Sequence, residues 1–248
     1  MTNERILQIA LEQSAIDCNC TVEDLVGGKN VTTLFRPHPR ARKYLNYPIE
    51  CQLVSYGKNV VAVAGENTRD ALDKYINENQ PYCFSTPNVF ELDKMMRELG
   101  VRVLYEKYFF LPDLDLVKIL PCRYETKVLY HNDFEELYLP QWGNALCEDR
   151  RELDVLGVGA YHNGELIGLA GCSADGEDMY QIGVDVLPQY RRQGIASALT
   201  SRLTAEILKL EKVPFYCCAW SNIGSARNAI KCGFRPTWVE IVSEKIDK

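Results

Sequence analysis

Chemistry in this chain concentrates between Ile182 and Ser197. A strand-like run ends at Pro188 and is followed by Tyr190-Arg191-Arg192-Gln193-Gly194-Ile195-Ala196-Ser197. Ile195, Leu199, Leu203, Ile207 and Leu210 then recur at helical spacing, so the pattern predicts strand, turn and helix in that order. Such a turn leaves the first backbone N–H groups of the helix unpaired. With the helix dipole, they form an anion site suited to a pyrophosphate. Gly194 and Ala196 let a phosphate approach the backbone, and Arg191 and Arg192 add positive charge at the rim. The stretch has neither the Gly-Lys-Ser/Thr ending of a Walker loop nor the G-x-G-x-x-G of a dinucleotide fold. Asn222 follows the next strand-like run, Ser225 comes three residues later, and Lys231-Cys232-Gly233-Phe234 closes the segment.

Arg191, Gly194 and Ala196 fill the pattern Arg/Gln-x-x-Gly-x-Gly/Ala. With Val186-Leu187-Pro188 before it, and Asn222, Ser225 and residues 231–234 after it, the segment 122–242 resembles the GCN5-related N-acetyltransferase (GNAT) superfamily. The resemblance implies an acyl-CoA N-acyltransferase fold that moves acetyl from acetyl-CoA, as co-substrate, to a primary amine without a metal. Backbone groups of Val184 and Val186 would hold the pantetheine arm. The backbone of Arg191, Arg192, Gln193, Gly194, Ile195, Ala196 and Ser197 would hold the pyrophosphate. Asn222 and Ser225 would contact the cofactor from the other side of a V-shaped gap between strands 179–187 and 213–220. The two-part layout is similar to zwittermicin-resistance-type acetyltransferases.

Two positions depart from the family. Many members carry a Tyr seven residues after the Asn as general acid, and this chain has Ala229 there. The branch that acetylates protein N-termini often carries a Glu five residues before the Asn as base, and this chain has Cys217. An ammonium must still lose a proton before it attacks a thioester. Tyr180 and Cys217 are the catalytic candidates, with Glu177 or Asp178 acting through a water as others; core packing competes as the explanation of Tyr180 and Cys217. Strand alternation puts Tyr180, Ile182, Val184 and Val186 on one face and turns Asp185 to the other. The acceptor is expected at the helical region before the first hairpin strand. Asp133, Glu135, Glu136, Glu148, Asp149, Glu152 and Asp154 cluster there, with Arg150 and Arg151 their only basic company. An acidic wall suits a small cationic amine, and Trp142 is a candidate stacking residue. The departures also admit a non-catalytic acyl-CoA-binding sensor or assembly module.

Composition sets the outer bounds. The 248 residues carry 28 Lys plus Arg against 34 Asp plus Glu, with 46% hydrophobic and 25% charged residues, an ordinary globular balance. No apolar run approaches the roughly 18 residues of a membrane-spanning helix. The start, Met1-Thr2-Asn3-Glu4-Arg5, lacks the blocks of a secretory signal. A cytoplasmic protein without a membrane partner is expected. Ten scattered cysteines with no Cys-x-x-Cys, and three histidines far from any cysteine pair, argue against a disulfide framework and a metal site. Residues 121–190 hold 4 basic and 13 acidic side chains, whereas residues 191–248 hold 10 and 5. The basic stretch Arg36–Lys43 has only Tyr44 and Tyr47 beside it. That falls short of a nucleic-acid groove, and a solvated loop is expected, with a reach toward the CoA 3′-phosphate as the alternative.

The elements that must position these residues predict a mixed α/β protein in two parts. A smaller amino-terminal α/β domain covers 1–120, and a GNAT-like domain covers 121–248. In the first, helices are expected over 3–15 and 68–77, a capping box at Thr21-x-x-Asp24, and strands over 51–56, 59–64 and 101–110. A further helix starts at Thr86-Pro87, with Leu92, Met95, Met96 and Leu99 on one face and Gly100 as its stop. Residues 111–121 read as a linker. This part is consistent with a degenerate acetyltransferase-like half, a lid or a dimerisation domain, and a homodimer stays open. In the second part, helix in one piece or two is expected over 133–146 and a hairpin over 155–174 around Asn163-Gly164. Strands follow over 179–187, 213–220 and 234–242, with a short helix over 222–231.

Overall fold

The computed structural model describes residues 1–45 and 47–246. In chain order it contains α1 (Asn3–Asp17), α2 (Val22–Val26), β1 (Val31–Leu34), β2 (Cys51–Ser55), β3 (Val61–Ala64), α3 (Arg69–Glu78), α4 (Thr86–Glu98) and β4 (Val101–Pro112). There follow β5 (Glu125–Tyr130), β6 (Asp154–His162), β7 (Glu165–Ser173), β8 (Met179–Val186), α5 (Ile195–Lys209), β9 (Val213–Ala219), α6 (Ile223–Lys231) and β10 (Phe234–Lys245). Where the sequence suggests one cut near residue 120, the chain divides into two interleaved units. One is Met1–Ile9 with Phe110–Pro236, and the other is Ala10–Phe109 with Thr237–Lys248. The strands β4 and β10 each pass from one unit into the other, which a reading for two consecutive halves does not anticipate.

In the unit formed by Ala10–Phe109 and Thr237–Lys248, the capping box is present. Asp24 N–H donates to Thr21 Oγ1 at 3.2 Å, and Thr21 N–H donates to Asp24 Oδ2 at 2.9 Å. β2 and β3 pair antiparallel, and residues 239–242 of β10 run antiparallel to β2. β1 joins β3 in parallel; its Thr32-Thr33 centre offers no apolar alternation, so it went unseen in the sequence. Leu72, Tyr75 and Ile76 of α3 and Leu92 and Met96 of α4 are buried against these strands. Leu99 lies beyond the last helical turn and is 41% exposed, so it does not extend that apolar face.

The basic stretch behaves differently from expectation. Arg42 is 1% exposed. It pairs with Asp17 through its Nε and with Glu240 through its Nη2, and its guanidinium lies 5.8 Å from the Trp238 ring centroid. Glu240, fully buried, also accepts from Gln52 Nε2 at 3.0 Å and Trp238 Nε1 at 2.8 Å. Burial opposes the guanidinium charge, but Asp17 and Glu240 overcome it and hold Arg42 protonated. Removing one partner of a buried ion pair strands the others, at a cost of about 3–5 kcal/mol. Arg42→Ala is therefore expected to lower the unfolding free energy by that amount, measured by urea titration.

In the unit formed by Met1–Ile9 and Phe110–Pro236, β5, β6, β7 and β8 follow one another antiparallel, and β9 adds to β8 in parallel. Asn163 and Gly164 both take positive φ, 52° and 84°, as a two-residue primed hairpin turn requires. Ile195, Leu199, Leu203 and Ile207 of α5 pack on Val158, Ile167 and Ala170, while Leu210 at the helix end is exposed. The helix expected over 133–146 is replaced by three short 3-10 turns at His131–Asp133, Glu135–Leu137 and Pro140–Trp142. Pro140 cannot sit inside a helix, and Trp142 is core, packed with Phe134 and Leu146. The segment read as a linker is pinned: Asp113 accepts from Asn3 Nδ2 at 3.1 Å and Arg235 Nε at 2.5 Å. Among the described residues no helix is long and apolar enough to cross a membrane, and no group of three or more His, Cys, Asp or Glu is arranged to hold a metal ion.

Candidate active site

The end of β8, the turn after it and the start of α5 form one wall of a cleft of about 340 Å³, and α6 forms the other. Gly194 is the N-cap of α5 with φ 81°, and no side chain caps the helix. The first helical bond runs from Ala198 N–H to Gly194 O, so the N–H groups of Ile195, Ala196 and Ser197 precede it without a carbonyl behind them. A side chain at Gly194 would have space but would be forced into a left-handed backbone and toward the cleft. Arg192 also sits at positive φ, 62°, a conformation that costs a non-glycine residue strain and often marks a functional turn. Arg191 Nε donates to Val186 O at 2.9 Å, fastening the turn to the strand.

Seven of the expected cofactor residues line this cleft: Val186, Arg191, Arg192, Gly194, Ile195, Ala196 and Ser197. Gln193 turns away, accepting from Tyr124 OH at 2.9 Å, and the rings of Tyr124, His162 and Tyr190 meet tilted or edge-on, with centroids 5.2–5.9 Å apart. Asn222 caps α6, accepting from Ser225 N–H at 3.1 Å, and Ser225 Oγ lies 2.8 Å from Tyr216 OH. The sequence reading missed Arg227 and Lys231, which bring two more cations to the cleft from α6. The signal was available, because Gly224, Arg227, Asn228 and Lys231 fall on one helical stripe. Asn228 fixes that helix against α5, accepting from Ser197 Oγ at 2.9 Å and donating to Thr200 Oγ1 at 3.0 Å.

The strands that flank this wall separate. The β8–β9 ladder holds four pairs and ends at Ile182–Tyr216, although β8 continues to Val186 and β9 to Ala219. Leu187 N–H donates to Ile167 O on β7, so alternation turns the backbone groups of Val184 and Val186 toward the gap. Tyr180 stands opposite Pro214 in the closed part of the ladder and packs on the core. Cys217 is the first β9 residue past the last pair, and Gln181 Nε2 reaches its Sγ at 3.4 Å. Asp178 is committed to Lys212 at 2.8 Å, and Glu177 is exposed.

On the opposite face of β8, residues 144 and 145 cross the sheet at very short range. A Cβ on Gly183 would collide with Asn144 O, and one on Gly171 with Ala145 O. Asp185 accepts from Asn144 N–H at 2.8 Å, Ala145 N–H at 3.0 Å and Asn144 Nδ2 at 2.7 Å, so the face predicted for it carries a latch. The expected acidic wall does not converge here. Asp154 is buried, its carboxyl pushed up by desolvation, and takes Ser173 Oγ at 2.5 Å and Cys147 N–H at 2.8 Å. Asp133 caps Tyr130 N–H at 2.8 Å, and Glu148 pairs with Arg151 at 2.5 Å.

A strand, an uncapped glycine turn and a helix thus stand beside a parting pair of strands, with the donors of an anion site. Residues 122–234, somewhat under half of the chain, match the family model described as Acetyltransferase (GNAT) family. No curated protein matches the chain in sequence. Among solved structures, a GCN5-related N-acetyltransferase from Kribbella flavida aligns with TM-score 0.51 and 16% identity, over 63% of this chain and 64% of that one. A GCN5-related N-acetyltransferase-like protein from Streptococcus suis aligns over 77% and 82%, at 21% identity and TM-score 0.48. An acetyltransferase from the GNAT family from Colwellia psychrerythraea aligns over 98% of both chains, at 11% identity and TM-score 0.48. At 16% identity the likeness to the Kribbella flavida structure is one of fold.

Close approach at Gly183 makes a specific demand. Gly183→Ala must push the Asn144–Ala145 backbone away, and overpacking of this kind costs about 1–3 kcal/mol. Thermal unfolding is expected to show the loss, and an unchanged Tm would contradict the approach described.

Proposed function

We propose that this protein transfers an acetyl group from acetyl-CoA directly to a primary amine of a small molecule. The observation that carries the reading is the cleft at the start of α5. Uncapped N–H groups, a left-handed glycine and four cationic side chains (Arg191, Arg192, Arg227 and Lys231) surround a space of about 340 Å³. That donor set fits the phosphates of a coenzyme A, through helix-terminal N–H groups and through charge. Acetyl-CoA supplies the activated acyl group. Val184 and Val186 would align the pantetheine amides along the free edge of β8, with Asn222 and Ser225 on the facing side.

The reaction forms a C–N bond and breaks a C–S bond, whose electron pair leaves with sulfur. One proton leaves the ammonium before attack and a second leaves the nitrogen afterwards; one of the two balances the thiolate charge. Backbone N–H groups at the gap polarise the thioester carbonyl. Desolvation in the site lowers the effective pKa of the amine. Cys217, at the mouth of the gap, is the nearer of the two catalytic candidates, since Tyr180 stands in the closed ladder. The resemblance of the two-part layout to zwittermicin-resistance-type enzymes places amino-bearing antibiotics among the acceptors to screen, alongside polyamines.

Titration calorimetry with acetyl-CoA and desulfo-CoA tests the donor half. Wild-type protein is expected to bind, and Gly194→Glu to lose binding, because it sets bulk and a like charge against the pyrophosphate. Unchanged affinity in that variant sinks the assignment. Arg227→Ala and Lys231→Ala are each expected to weaken binding at least about tenfold, in line with the roughly 1.5–3 kcal/mol of a hydrogen bond to a charged group. A sensor would bind acetyl-CoA yet release no free CoA with any amine.

A further inference from the structure

On the face of β8 opposite α5 lies a second cleft, of about 230 Å³, lined among others by Arg150, Asp175, Ser173, Gln181 and Gly183. It is smaller than the roughly 300–1,000 Å³ that holds drug-sized ligands. It meets the strand gap directly. Gly183 is the first β8 residue past the last pair with β9, and Gln181 touches Cys217. Resting on the transferase reading above, we infer that this cleft takes the acceptor, and that the acceptor is an amine which also carries a carboxylate: an amino acid or a short peptide.

The inference rests on Arg150. It is one of only four basic residues in the acidic span 121–190, and it is half-buried in the cleft wall. Its Nη1 donates to Asp175 Oδ1 at 2.8 Å and its Nε to Cys147 Sγ at 3.5 Å, which leaves Nη2 without a hydrogen bond among the described residues. A half-buried guanidinium with an uncommitted nitrogen matches the planar fork of a carboxylate. Asp175 is almost fully buried and cancels one positive charge, so the pair is neutral overall. A neutral ion pair complements a zwitterion better than it complements a polycation or a phosphate dianion.

Direction follows from register. Ser173 pairs with Gln181, so Asp175, two residues beyond Ser173, lies toward the start of β8, away from the gap. The carboxylate is therefore anchored at the closed end, and the amine points past Gln181 toward Cys217, where the strands part. None of the acidic side chains counted on for an acidic wall lines this cleft.

The test compares matched acceptors by CoA release: α- and ω-amino acids against the amines left when the carboxylate is removed. Expected is a kcat/KM at least about tenfold higher for the amino carboxylate, equivalent to about 1.4 kcal/mol. The difference should collapse in Arg150→Gln and persist in part in Arg150→Lys, with acetyl-CoA affinity by calorimetry unchanged in both. In the wild type, the deaminated carboxylate should inhibit competitively against the amino acid, a readout that needs no variant to fold. Turnover of amines with no preference for the carboxylate overturns this inference alone. So does a preference that survives Arg150→Gln. Absence of acetyl-CoA binding and of CoA release overturns the transferase reading, and this one with it.

Discussion

The parallel ladder between β8 and β9 ends at Ile182 and Tyr216, and strands that part there must each be held by something else. β8 is held by β7, whose pairing continues to Gly168–Val186, four residues past the end of the other ladder. It is also held by Arg191, which returns from the turn to Val186 O, and by Asp185, which grips Asn144 and Ala145 on the far face. On the other side, Asn228 ties α6 to α5, so the helix that follows β9 keeps its cations across the cleft. The two lips of the gap are thus anchored in different directions.

The same economy explains the acidic span. Thirteen acidic side chains between 121 and 190 suggest a field that attracts cations, but several of the buried or strategic ones are internal fasteners. Asp154 receives Ser173 and Cys147, Asp175 pairs with Arg150, Asp178 pairs with Lys212, and Asp185 secures the crossing segment. A carboxylate paired with an arginine or lysine has its charge offset, and one fixed by backbone donors is held away from any cleft it would have to line. The arginine beside them, Arg150, is the group with donor capacity left over.

Legibility in the sequence followed the physical range of each signal. The strand–turn–helix at 182–197, the hairpin at Asn163-Gly164 and the capping box at Thr21 depend on neighbours a few residues apart, and each is where the pattern puts it. The face of Asp185 followed from strict two-residue alternation, but its partner, forty residues away, did not. Arg42 illustrates the opposite case. Its neighbours in sequence are polar and charged, so it reads as solvated loop, yet Asp17 and Glu240 reach it across 25 and 198 residues. The helix expected over 133–146 is absent for a local reason, since Pro140 and Gly143 interrupt the segment. The cations of α6 follow from the helical spacing of Arg227 and Lys231, which is as local as the signals above.

The two departures from the family pattern bear unequally on chemistry. A thiol ionises near about 8.5 and an alkyl amine near about 10.4. Sulfur can therefore leave as thiolate near neutral pH with little help from an acid, whereas the amine must shed a proton before it can attack. Loss of a tyrosine at position 229 is tolerable on that ground, and Ala229 is indeed sealed into the core between helix and sheet. Loss of a glutamate at 217 is the more demanding change, because it falls on the acceptor's proton. On the proposed reading, the demand moves to the face of β8 where Gln181 meets Cys217 at the gap, with Ser173 and the Arg150–Asp175 pair farther toward the closed end. The departures are thus compatible with catalysis provided that the acceptor's side of the sheet, and not the leaving group's, manages charge.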